Sequence, residues 1–487
     1  MDKACISKEA WRRRCAKILI GLVVFLLLFY WASGDQLFYT SKTMTSITAE
    51  ATAAVMGNGT TVEFEVTPET KLVDNITVLL GTYGVENTGT VTAQMLDKDQ
   101  NLLGESTLVL KDLKDYEYQV FAWEDPIDVE GKTPVTIRLQ TQGLSEGQAI
   151  SAWYGTKIQT VRLSVPDPTA NGYRVDGVEK EGKVCYEING RNPLWIGDWY
   201  WAIAGGIVLL VVADFIYLFR CLDQGKRSLL IRWYGLFYNY RFLVKQLVNR
   251  DFKKKYKRSV LGVFWSFLNP LLTMLVQYVV FSTIFRSSIE NFIVYLLCGI
   301  VIFNFFGEAL SLGLTSIVDN AALINKVYMP KEIYPISRVL SSVVNLLLSL
   351  IPMLVVTLGS GVPLTKSVLL IPVGLFMLFM FSLGLAFLLA TSMVFFRDTQ
   401  FLWNVIFVLW SYLTPTFYPL TILPGVLQEV FKLNPMYQYI TFLRTILMYG
   451  QAPSPTTYIG CALSAVVMLV IGVTVFRKHQ NKFILHL

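Results

Sequence analysis

The sequence predicts a polytopic α-helical membrane protein with one inserted all-β domain. Hydrophobic residues make up 53% of the 487-residue chain and charged residues only 16%, a balance that excludes an ordinary soluble protein. A membrane-spanning helix needs about 20 apolar residues, and eight stretches of the sequence approach that length. One polar block, residues 35–198, interrupts them and is long enough to fold around a core of its own.

Two predicted spans flank the polar block, and six follow a basic segment. In chain order they are residues 18–33, 199–219, 260–285, 292–313, 339–358, 368–396, 401–418 and 458–476. We therefore divide the chain into a first span with the residues before it (1–34), a β domain (35–198), a second span (199–220), an amphipathic segment (221–258) and a six-span core (259–487).

The distribution of charge predicts how these regions are oriented in a membrane. The polar block contains 24 acidic and 13 basic residues, a net charge of −11, and because the whole chain carries +7 the remainder carries +18. Basic residues beside spans stay cytoplasmic, so eight crossings place both termini inside and residues 35–198 outside. Nucleic-acid binding explains the basic surplus less well, because the basic clusters lie next to spans and do not form one soluble face.

The first span has two interpretations. Arg12, Arg13 and Arg14 precede an apolar run, which is typical of a membrane anchor. The run is short, and residues 32–34, Ala-Ser-Gly, resemble a signal-peptidase site, so a cleaved signal peptide is the alternative. We expect an uncleaved anchor.

The polar block is predicted to be an antiparallel β sandwich. Apolar and polar residues alternate at 62–66, 91–95, 135–139 and 161–165, with turn signals such as Gly57-Asn58-Gly59 between them. The motifs GTYG (81–84) and ISAWYG (150–155) are loosely similar to jelly-roll carbohydrate-binding modules. Four aromatic residues could stack on sugar rings if exposed, or could fill the core of the sandwich: Tyr83, Trp123, Trp153 and Tyr154.

The segment before the six-span core is predicted to be an amphipathic helix on the cytoplasmic membrane surface. Its apolar residues recur at spacings of three and four, at Trp233, Phe237, Tyr240, Val244, Val248, Phe252 and Tyr256. Basic residues such as Arg250 occupy the other faces, and the next span follows directly. The alternative is a soluble charged helix before a membrane anchor.

Three features of the core have functional interpretations. Residues 325–335 form a charged loop between two spans, and residues 416–440 are apolar but too proline-broken to span, which predicts re-entrant or interfacial helices. Glu308 lies within a predicted span, where a carboxylate costs about 2.5–3.5 kcal/mol on insertion scales. It is expected either to have a functional role or to lie near the end of its span.

The sequence also argues against several chemistries. Only Cys185 of the six cysteines lies in the β domain, so that domain has no internal disulfide, and no cysteine or histidine spacing predicts a metal site. The only histidines are His479 and His486 in the tail, which disfavours histidine-based catalysis. The phosphate-binding pattern GxxxxGK[ST] does not occur, so the chain has no recognisable means of binding ATP. We expect no enzymatic activity and no cofactor.

Three stretches together resemble one protein family. They are RDFKKKYKRSVLGVFWSFLNPL (250–271), IVDNAALINKVYMPKEIYPIS (317–337) and FYPL…LNPMYQYI…R (417–444). In this order and spacing they are similar to the type-2 permease subunits of bacterial ATP-binding-cassette exporters for O-antigen, teichoic acid and capsular polysaccharide. The resemblance covers roughly residues 228–487. The family core normally has six spans and no large outer domain, so the role of residues 1–227 stays open.

The resemblance implies a permease homodimer that exports a polyprenyl-linked glycan, driven by two copies of a separate ATPase that binds ATP and magnesium. It implies an ATPase-coupling segment at Asn325, Lys326, Val327, Tyr328, Met329, Pro330, Lys331 and Glu332. It implies an interface helix that includes Arg250, Phe252, Lys255 and Tyr256. The outer mouth would be shaped by Phe417, Tyr418, Pro419, Asn434 and Pro435.

A glycan path needs walls that bind sugars weakly at many points, which aromatic faces can do. The candidates on the first two core spans are Trp265, Tyr278, Phe303, Phe305 and Phe306, together with Glu308. Packing or lipid contact is the commoner role of a membrane aromatic residue, and that alternative stays open.

Other functions are less well matched to the sequence. The chain could export another amphiphile, such as a lipid or peptide. A membrane glycosyltransferase or polymerase would need paired carboxylates or a basic–acidic site on an aqueous loop, but the outer loops after residue 285 contain only isolated charges such as Glu290 and Glu429. A surface receptor or adhesin would leave the six further spans unexplained.

Overall fold

The computed structural model describes residues 8–45, 52–130, 132–155, 157–160, 163–166, 172–224, 229–256, 261–285, 291–326, 329–362 and 364–486. It separates into two compact units. One is helical and comprises Met1–Gly34 and Trp201–Leu487, and the other comprises Asp35–Tyr200. The second unit holds the β structure and lies within two residues of the predicted domain limits.

The helical unit is built from long apolar helices joined by short ones. Its helices are α1 (Lys8–Ser33), α2 (Trp195–Asp223, whose first turns belong to the other unit), α3 (Leu229–Tyr256), α4 (Trp265–Phe285), α5 (Phe292–Leu314), α6 (Ala321–Lys326), α7 (Ile333–Gly359), α8 (Ile371–Phe395), α9 (Thr399–Tyr412), α10 (Gly425–Lys432), α11 (Pro435–Tyr449), α12 (Pro455–His479) and α13 (Phe483–His486). Seven helices in the described parts of the chain are long and apolar enough to cross a membrane.

Helix α5 forms the centre of the helical unit. Almost all of its side chains from Phe292 to Phe306 are buried, and it contacts α4, α7, α8 and α11. Helices α8 and α12 approach closely where Gly384 and Gly472 meet, because a Cβ on either glycine would collide with the backbone of the facing helix. Small residues commonly allow such close crossings between membrane helices. The polytopic helical membrane fold is therefore confirmed.

One predicted span differs from the structure. Residues 401–418 were expected to cross the membrane, but α9 has 14 residues and is about 21 Å long, whereas the apolar core of a bilayer is about 30 Å thick. Pro415 explains the early end, since proline lacks a backbone donor and disfavours helical backbone at the residue before it. Two short helices, α10 and α11, follow in the stretch predicted to be re-entrant.

The other unit contains fifteen described strands in chain order. They are β1 (Tyr39–Thr45), β2 (Thr52–Met56), β3 (Thr61–Val66), β4 (Leu72–Gly81), β5 (Thr90–Leu96), β6 (Leu102–Val109), β7 (Glu117–Asp128), β8 (Val135–Gln142), β9 (Ile150–Gly155), β10 (Lys157–Thr160), β11 (Leu163–Pro166), β12 (Tyr173–Val175), β13 (Val178–Lys180), β14 (Lys183–Val184) and β15 (Tyr186–Pro193).

These strands form two main antiparallel sheets around one core. The larger sheet has the order β1-β15-β4-β9-β14, with β7 also paired to β4 and β2 to β9. The smaller one has the order β13-β12-β3-β8-β5-β6. Alternate residues of β3 and β8, such as Phe64 and Ile137, share a core with Ile76 and Val78 of β4. The period-two pattern of the sequence therefore identified the inward faces of these strands. Val161 of the fourth predicted alternation lies outside the described residues.

Candidate functional site

The predicted ATPase-coupling segment lies between α6 and α7. Lys326 at the end of α6 is exposed, and Met329 and Pro330 are half-buried. Val327 and Tyr328 lie outside the described residues, as does the side chain of Asn325. Among the described side chains of the segment, Lys326 is therefore the exposed one.

Lys331 and Glu332 contact the C-terminal part of this chain. The Lys331 ammonium donates a hydrogen bond of 2.6 Å to the backbone oxygen of Gln480 and lies over the Phe483 ring. Glu332 is buried, with its carboxylate 3.6 Å from the Arg477 guanidinium. Burial lowers the pKa of Lys331, and the nearby Glu332 charge partly offsets this. Both side chains thus anchor the segment to α12 and the turn after it. Polar contacts of Lys331 and Glu332 with an ATPase stay a prediction.

The amphipathic character of α3 is visible in its described side chains. Tyr240, Val244 and Leu247 pack against the helical core, whereas Arg241 and Lys245 are exposed. The side chains of Trp233 and Phe237 are outside the described set. Near the end of α3, the rings of Phe252 and Tyr256 meet edge to face with centroids 4.9 Å apart. The apolar stripe predicted from the spacing is present, and its described side chains face the helical core. A position of α3 on the membrane surface stays a prediction.

A buried ion pair joins α3 to the first turns of α7. Arg338 Nη1 lies 3.3 Å from Asp251 Oδ1, and Arg338 Nη2 lies 3.1 Å from Asp319 Oδ2. The side chains of Arg338 and Asp251 are only 9% and 7% exposed, so water screens their attraction weakly. Arg250 reaches Asp251 and the amide oxygen of Asn320. This ion-pair network (Arg250, Asp251, Asp319, Asn320 and Arg338) links three segments on either side of the coupling segment.

This network was not predicted from the sequence. Hydropathy puts Arg338 just before a span, whereas α7 begins at Ile333 and includes Arg338 in its second turn. An arginine in an otherwise apolar helix needs a partner, and this signal could have indicated a site at Arg338. The identity of its partners, Asp251 and Asp319, depends on tertiary contacts that the sequence does not reveal.

Glu308 belongs to a second polar cluster, at the junction of α3, α5 and α7. Its carboxylate accepts hydrogen bonds of 2.7 Å from both the Lys255 ammonium and the Asn345 amide. Tyr256 donates to the Asn345 amide oxygen at 3.0 Å and is also hydrogen-bonded to Ser266. The Glu308 carboxylate therefore has a cationic partner from α3.

The proposed path aromatics differ in exposure. Trp265 and Tyr278 of α4 are exposed in this chain. Phe303, Phe305 and Phe306 are buried, and the Phe306 ring lies 5.2 Å from that of Trp410 and 5.9 Å from that of Phe381. As packed in this chain, these three phenylalanines are core residues of the helical unit and do not line an open surface.

A buried arginine holds the predicted outer-mouth stretch. Arg444 of α11 donates hydrogen bonds to the backbone oxygens of Tyr295, Pro415 and Thr416. Its guanidinium also lies 3.3 Å from the centroid of the Tyr295 ring. The Tyr295 hydroxyl in turn donates to the Tyr418 backbone oxygen at 2.7 Å. We call this set of contacts the Arg444 clamp. In the sequence, Arg444 stands out only as the end of a family motif.

Asn434 and Pro435 start α11. The Asn434 side chain accepts a hydrogen bond of 3.0 Å from the Met436 backbone N–H, and Pro435 occupies the first turn, where a missing N–H costs nothing. Asn434 also accepts a 3.0 Å hydrogen bond from the Trp410 indole of α9. Phe417 stacks on Phe281 of α4, with centroids 5.1 Å apart. Pro419 and Tyr418 are half-buried. These residues connect α9, α11 and α4.

Comparison with known proteins assigns the helical core to a family. Residues 243–448 match the model of the ABC-2 type transporter family. The O-antigen export system permease protein RfbA of Myxococcus xanthus is 32% identical over 256 residues, which are 52% of this chain and 98% of that protein. The chain belongs to the ABC-2 type transporter family. The region of this ABC-2 permease that matches runs from α3 to α11 and includes both polar clusters and the Arg444 clamp.

A second relative has the same extent. An O-antigen export system permease protein RfbA of Klebsiella pneumoniae is 29% identical over 51% of this chain and 96% of its own length. Among solved structures, the infectious bursal disease virus VP2 subviral particle is 12% identical, covers 31% of this chain and 41% of that chain, and has a TM-score of 0.17, which is too low to indicate a shared fold. The β unit of this ABC-2 permease lies outside the family match.

Proposed function

We propose that this ABC-2 permease is the membrane subunit of an ATP-driven exporter that moves lipid-linked polysaccharide across the bacterial cytoplasmic membrane. The observation that carries the proposal is the match to O-antigen export permeases over nearly their whole length. The substrate class comes from those relatives, and O-antigen, teichoic acid and capsular or cell-wall glycans all belong to it. A polyprenyl carrier would place the lipid part of the substrate in the bilayer.

The energy source in this proposal is a separate ATP-binding subunit, present in two copies and supplying the sites for ATP and magnesium. Two permease chains would form the path between them. ATP binding moves the coupling segment only if the ATPase binds two permease conformations with unequal affinity. The contacts of Lys331 and Glu332 with the C-terminal part of the chain favour a segment that moves together with α12, with Lys326 available for docking.

The ion-pair network gives this coupling a physical connection. Asp251 on α3 forms a buried ion pair with Arg338 on α7, and the half-exposed Asp319 before α6 contacts the same arginine. Displacement of any one of these segments therefore moves or breaks an ion pair of Arg338. Removing one partner of a buried ion pair typically costs about 3–5 kcal/mol. We infer that the interface helix, the coupling segment and α7 respond to the ATPase as one body.

The proposed topology keeps both termini in the cytoplasm and residues 35–198 outside. An odd number of crossings puts the two termini on opposite sides of the membrane, so the seven long helices alone do not give this topology. In our proposal α9 and the proline-broken stretch after it complete the remaining crossing, with α10 and α11 as re-entrant elements. Arg444 supports this arrangement, because it satisfies backbone carbonyls of the broken stretch that lipid could not.

Depleting the protein in its native host tests the proposed function. We expect full-length lipid-linked glycan to accumulate on the cytoplasmic leaflet and the surface glycan to disappear, both reversed by the wild-type chain. Fractionation of lipid-linked glycan by membrane side gives the measurement. Short, unpolymerised intermediates would instead indicate a polymerase, and unchanged surface glycan would rule out polysaccharide as the substrate.

A further inference from the structure

The β unit has a group of aromatic side chains on the outward side of its larger sheet. The rings of Tyr116 and Trp153 meet edge to face with centroids 4.7 Å apart. Tyr118 stands opposite Leu79 in the β4–β7 pairing, and Leu79 packs with Trp153 and Cys185 away from the main core. Three strands or their ends thus bring these side chains together on one surface.

Tyr83 adds a fourth ring from the turn after β4. The Asp115 carboxylate accepts hydrogen bonds from the backbone N–H groups of Thr82 at 2.7 Å and Tyr83 at 3.1 Å. Asp115 directly precedes Tyr116, so it ties the turn that carries Tyr83 to the turn that carries Tyr116. The two rings are therefore presented by loops whose relative position is held by hydrogen bonds.

These rings are accessible, unlike two other aromatic residues that the sequence nominated. Tyr83 is 54% exposed, Tyr116 55% and Tyr118 36%. Trp123 is buried in the main core of the β unit, and Tyr154 packs on Tyr173 with ring centroids 4.9 Å apart. Core packing is thus the correct interpretation for Trp123 and Tyr154, and Trp153 forms the partly buried base of the exposed group.

The backbone at two of these tyrosines is unusual. Tyr83 has a φ of 58° and the following Gly84 a φ of 68°, at the centre of a turn closed by the hydrogen bond from Val85 N–H to the Thr82 oxygen. Turns with two positive φ values prefer Asn, Asp or Gly at both positions. Tyr116 also has a positive φ, of 52°. Strained residues of this kind concentrate at binding sites, where the surrounding structure holds them.

We propose that the aromatic platform formed by Tyr83, Tyr116, Tyr118 and Trp153 binds sugar rings of the exported glycan. This proposal rests on the proposed function, because that function provides the glycan as the ligand. Sugar rings present apolar C–H faces that stack on aromatic rings, and their hydroxyl groups need acceptors. Asp115 ties the two turns together, and its carboxylate is such an acceptor. Burial is the main cause that raises the pKa of the Tyr118 hydroxyl, and Cys185 and Glu187 add to the increase.

A glycan fits this platform better than a protein partner does. A protein interface typically has an apolar centre with charged residues depleted, whereas here the Asp115 carboxylate is bonded to the turn that carries Tyr83 and directly precedes Tyr116. The hydrogen bonds of Asp115 fix the loops before a ligand arrives, which reduces the entropy that a weakly held sugar would otherwise cost. In the exporter, such a site would hold the emerging chain beside the outer side of the membrane.

Binding to the full-length protein in lipid nanodiscs tests the proposal. The probe is lipid-free oligosaccharide released from the host's surface polysaccharide by mild acid, and saturation-transfer NMR and titration measure its affinity. Tyr83→Gly and Tyr116→Gly remove a ring at positions whose φ suits glycine, so the fold is preserved. Each glycine variant should weaken binding about five- to tenfold, which is the upper part of what one stacked ring contributes. Tyr83→Phe and Tyr116→Phe keep the ring and should bind nearly as well as wild type.

Gln100→Gly is the matched control, because Gln100 also has a positive φ, of 64°, but lies in the turn between β5 and β6 of the other sheet. It should bind as wild type does. Wild-type affinity in both tyrosine-to-glycine variants, or no binding by the wild-type protein, would overturn the platform. If glycan export is nevertheless lost on depletion and restored by the wild-type chain, the platform alone is wrong and the proposed function stands.

Discussion

At the scale of single residues, Arg444 of α11 contacts three backbone oxygens and one aromatic ring of the permease core. Its guanidinium is buried, and its described contacts are backbone oxygens and the Tyr295 ring. A buried charge is costly unless its hydrogen bonds are satisfied. Here carbonyl dipoles of the proline-broken stretch supply those bonds, and the arginine supplies donors that Pro415 and the residues around it need.

Arg444→Met is predicted to destabilise the helical unit. It leaves the backbone oxygens of Tyr295, Pro415 and Thr416 without their arginine donors, at about 1–3 kcal/mol for each group left unpaired. Loss of the buried charge offsets part of this, so we expect a net decrease of about 2–4 kcal/mol in the free energy of unfolding. Unfolding in mixed micelles gives the value.

The control for Arg444→Met is Arg397→Met, which removes the same charge from an exposed side chain in the turn before α9. It should leave the unfolding free energy within about 0.5 kcal/mol of wild type. Equal stability of the two variants would show that the clamp does not hold the outer stretch.

Residue-level predictions from the sequence succeeded where the physics is local. Asn434-Pro435 begins a helix because capping depends on neighbours within three positions. The pairing of Glu308 with Lys255, or of Arg338 with Asp251, joins residues 53 and 87 positions apart and depends on how helices pack. The sequence therefore indicated that Glu308 needs a partner but not which residue provides it.

At the scale of elements, the predicted coupling segment has two parts with different surroundings. Lys326 at the end of α6 is exposed, whereas Lys331 and Glu332 are held by the C-terminal part of the chain. The family motif alone did not distinguish these surroundings, because exposure depends on where α12 ends in space. We therefore expect a substitution of Lys326 to affect binding of the ATPase, and a substitution of Glu332 to affect the stability of the permease.

Lys326→Glu is predicted to reduce co-purification of the ATPase subunit and the ATPase activity of the complex, with little change in the melting temperature of the permease. Charge reversal at an exposed rim residue acts mainly on association. The matched control, Lys432→Glu, reverses an exposed charge in α10, which lies at the outer mouth in the proposed topology. It should leave the amount of co-purified ATPase unchanged.

Glu332→Gln should instead lower the melting temperature, because it leaves the Arg477 guanidinium without its carboxylate. The double variant Glu332→Gln/Arg477→Gln removes both charges and should recover part of the loss. A different result would identify Glu332 as the docking contact. In that result Glu332→Gln abolishes co-purification of the ATPase without changing the melting temperature, and Lys326→Glu has no effect.

Element boundaries followed from the sequence where hydrophobicity alone decides them. The long runs of α5, α8 and α12 and the alternating strands β3, β5 and β8 lie where they were expected. The span predicted at 401–418 was too long, since an apolar run continues through Pro415 although the helix cannot. Hydropathy measures affinity for lipid and does not register the backbone hydrogen bond that proline removes.

At the scale of the whole molecule, the chain combines an ABC-2 permease core with a β unit that the family match does not include. Composition and charge predicted a separate domain at this place, because an acidic block between apolar runs needs a core of its own. They were not sufficient to decide which of its aromatic residues are exposed. That distinction required the pairing of β4 with β7 and the backbone of two turns.

The central claim, that the chain moves lipid-linked polysaccharide outward at the expense of ATP, is tested most directly in proteoliposomes. Purified permease and its ATPase would be reconstituted with full-length lipid-linked glycan, and translocation would be measured as protection of the glycan from a membrane-impermeant glycosidase. We expect ATP-dependent transfer that disappears without the permease or with an ATPase unable to hydrolyse ATP. Equal transfer without ATP, or ATP hydrolysis with no transfer of glycan, would contradict the account.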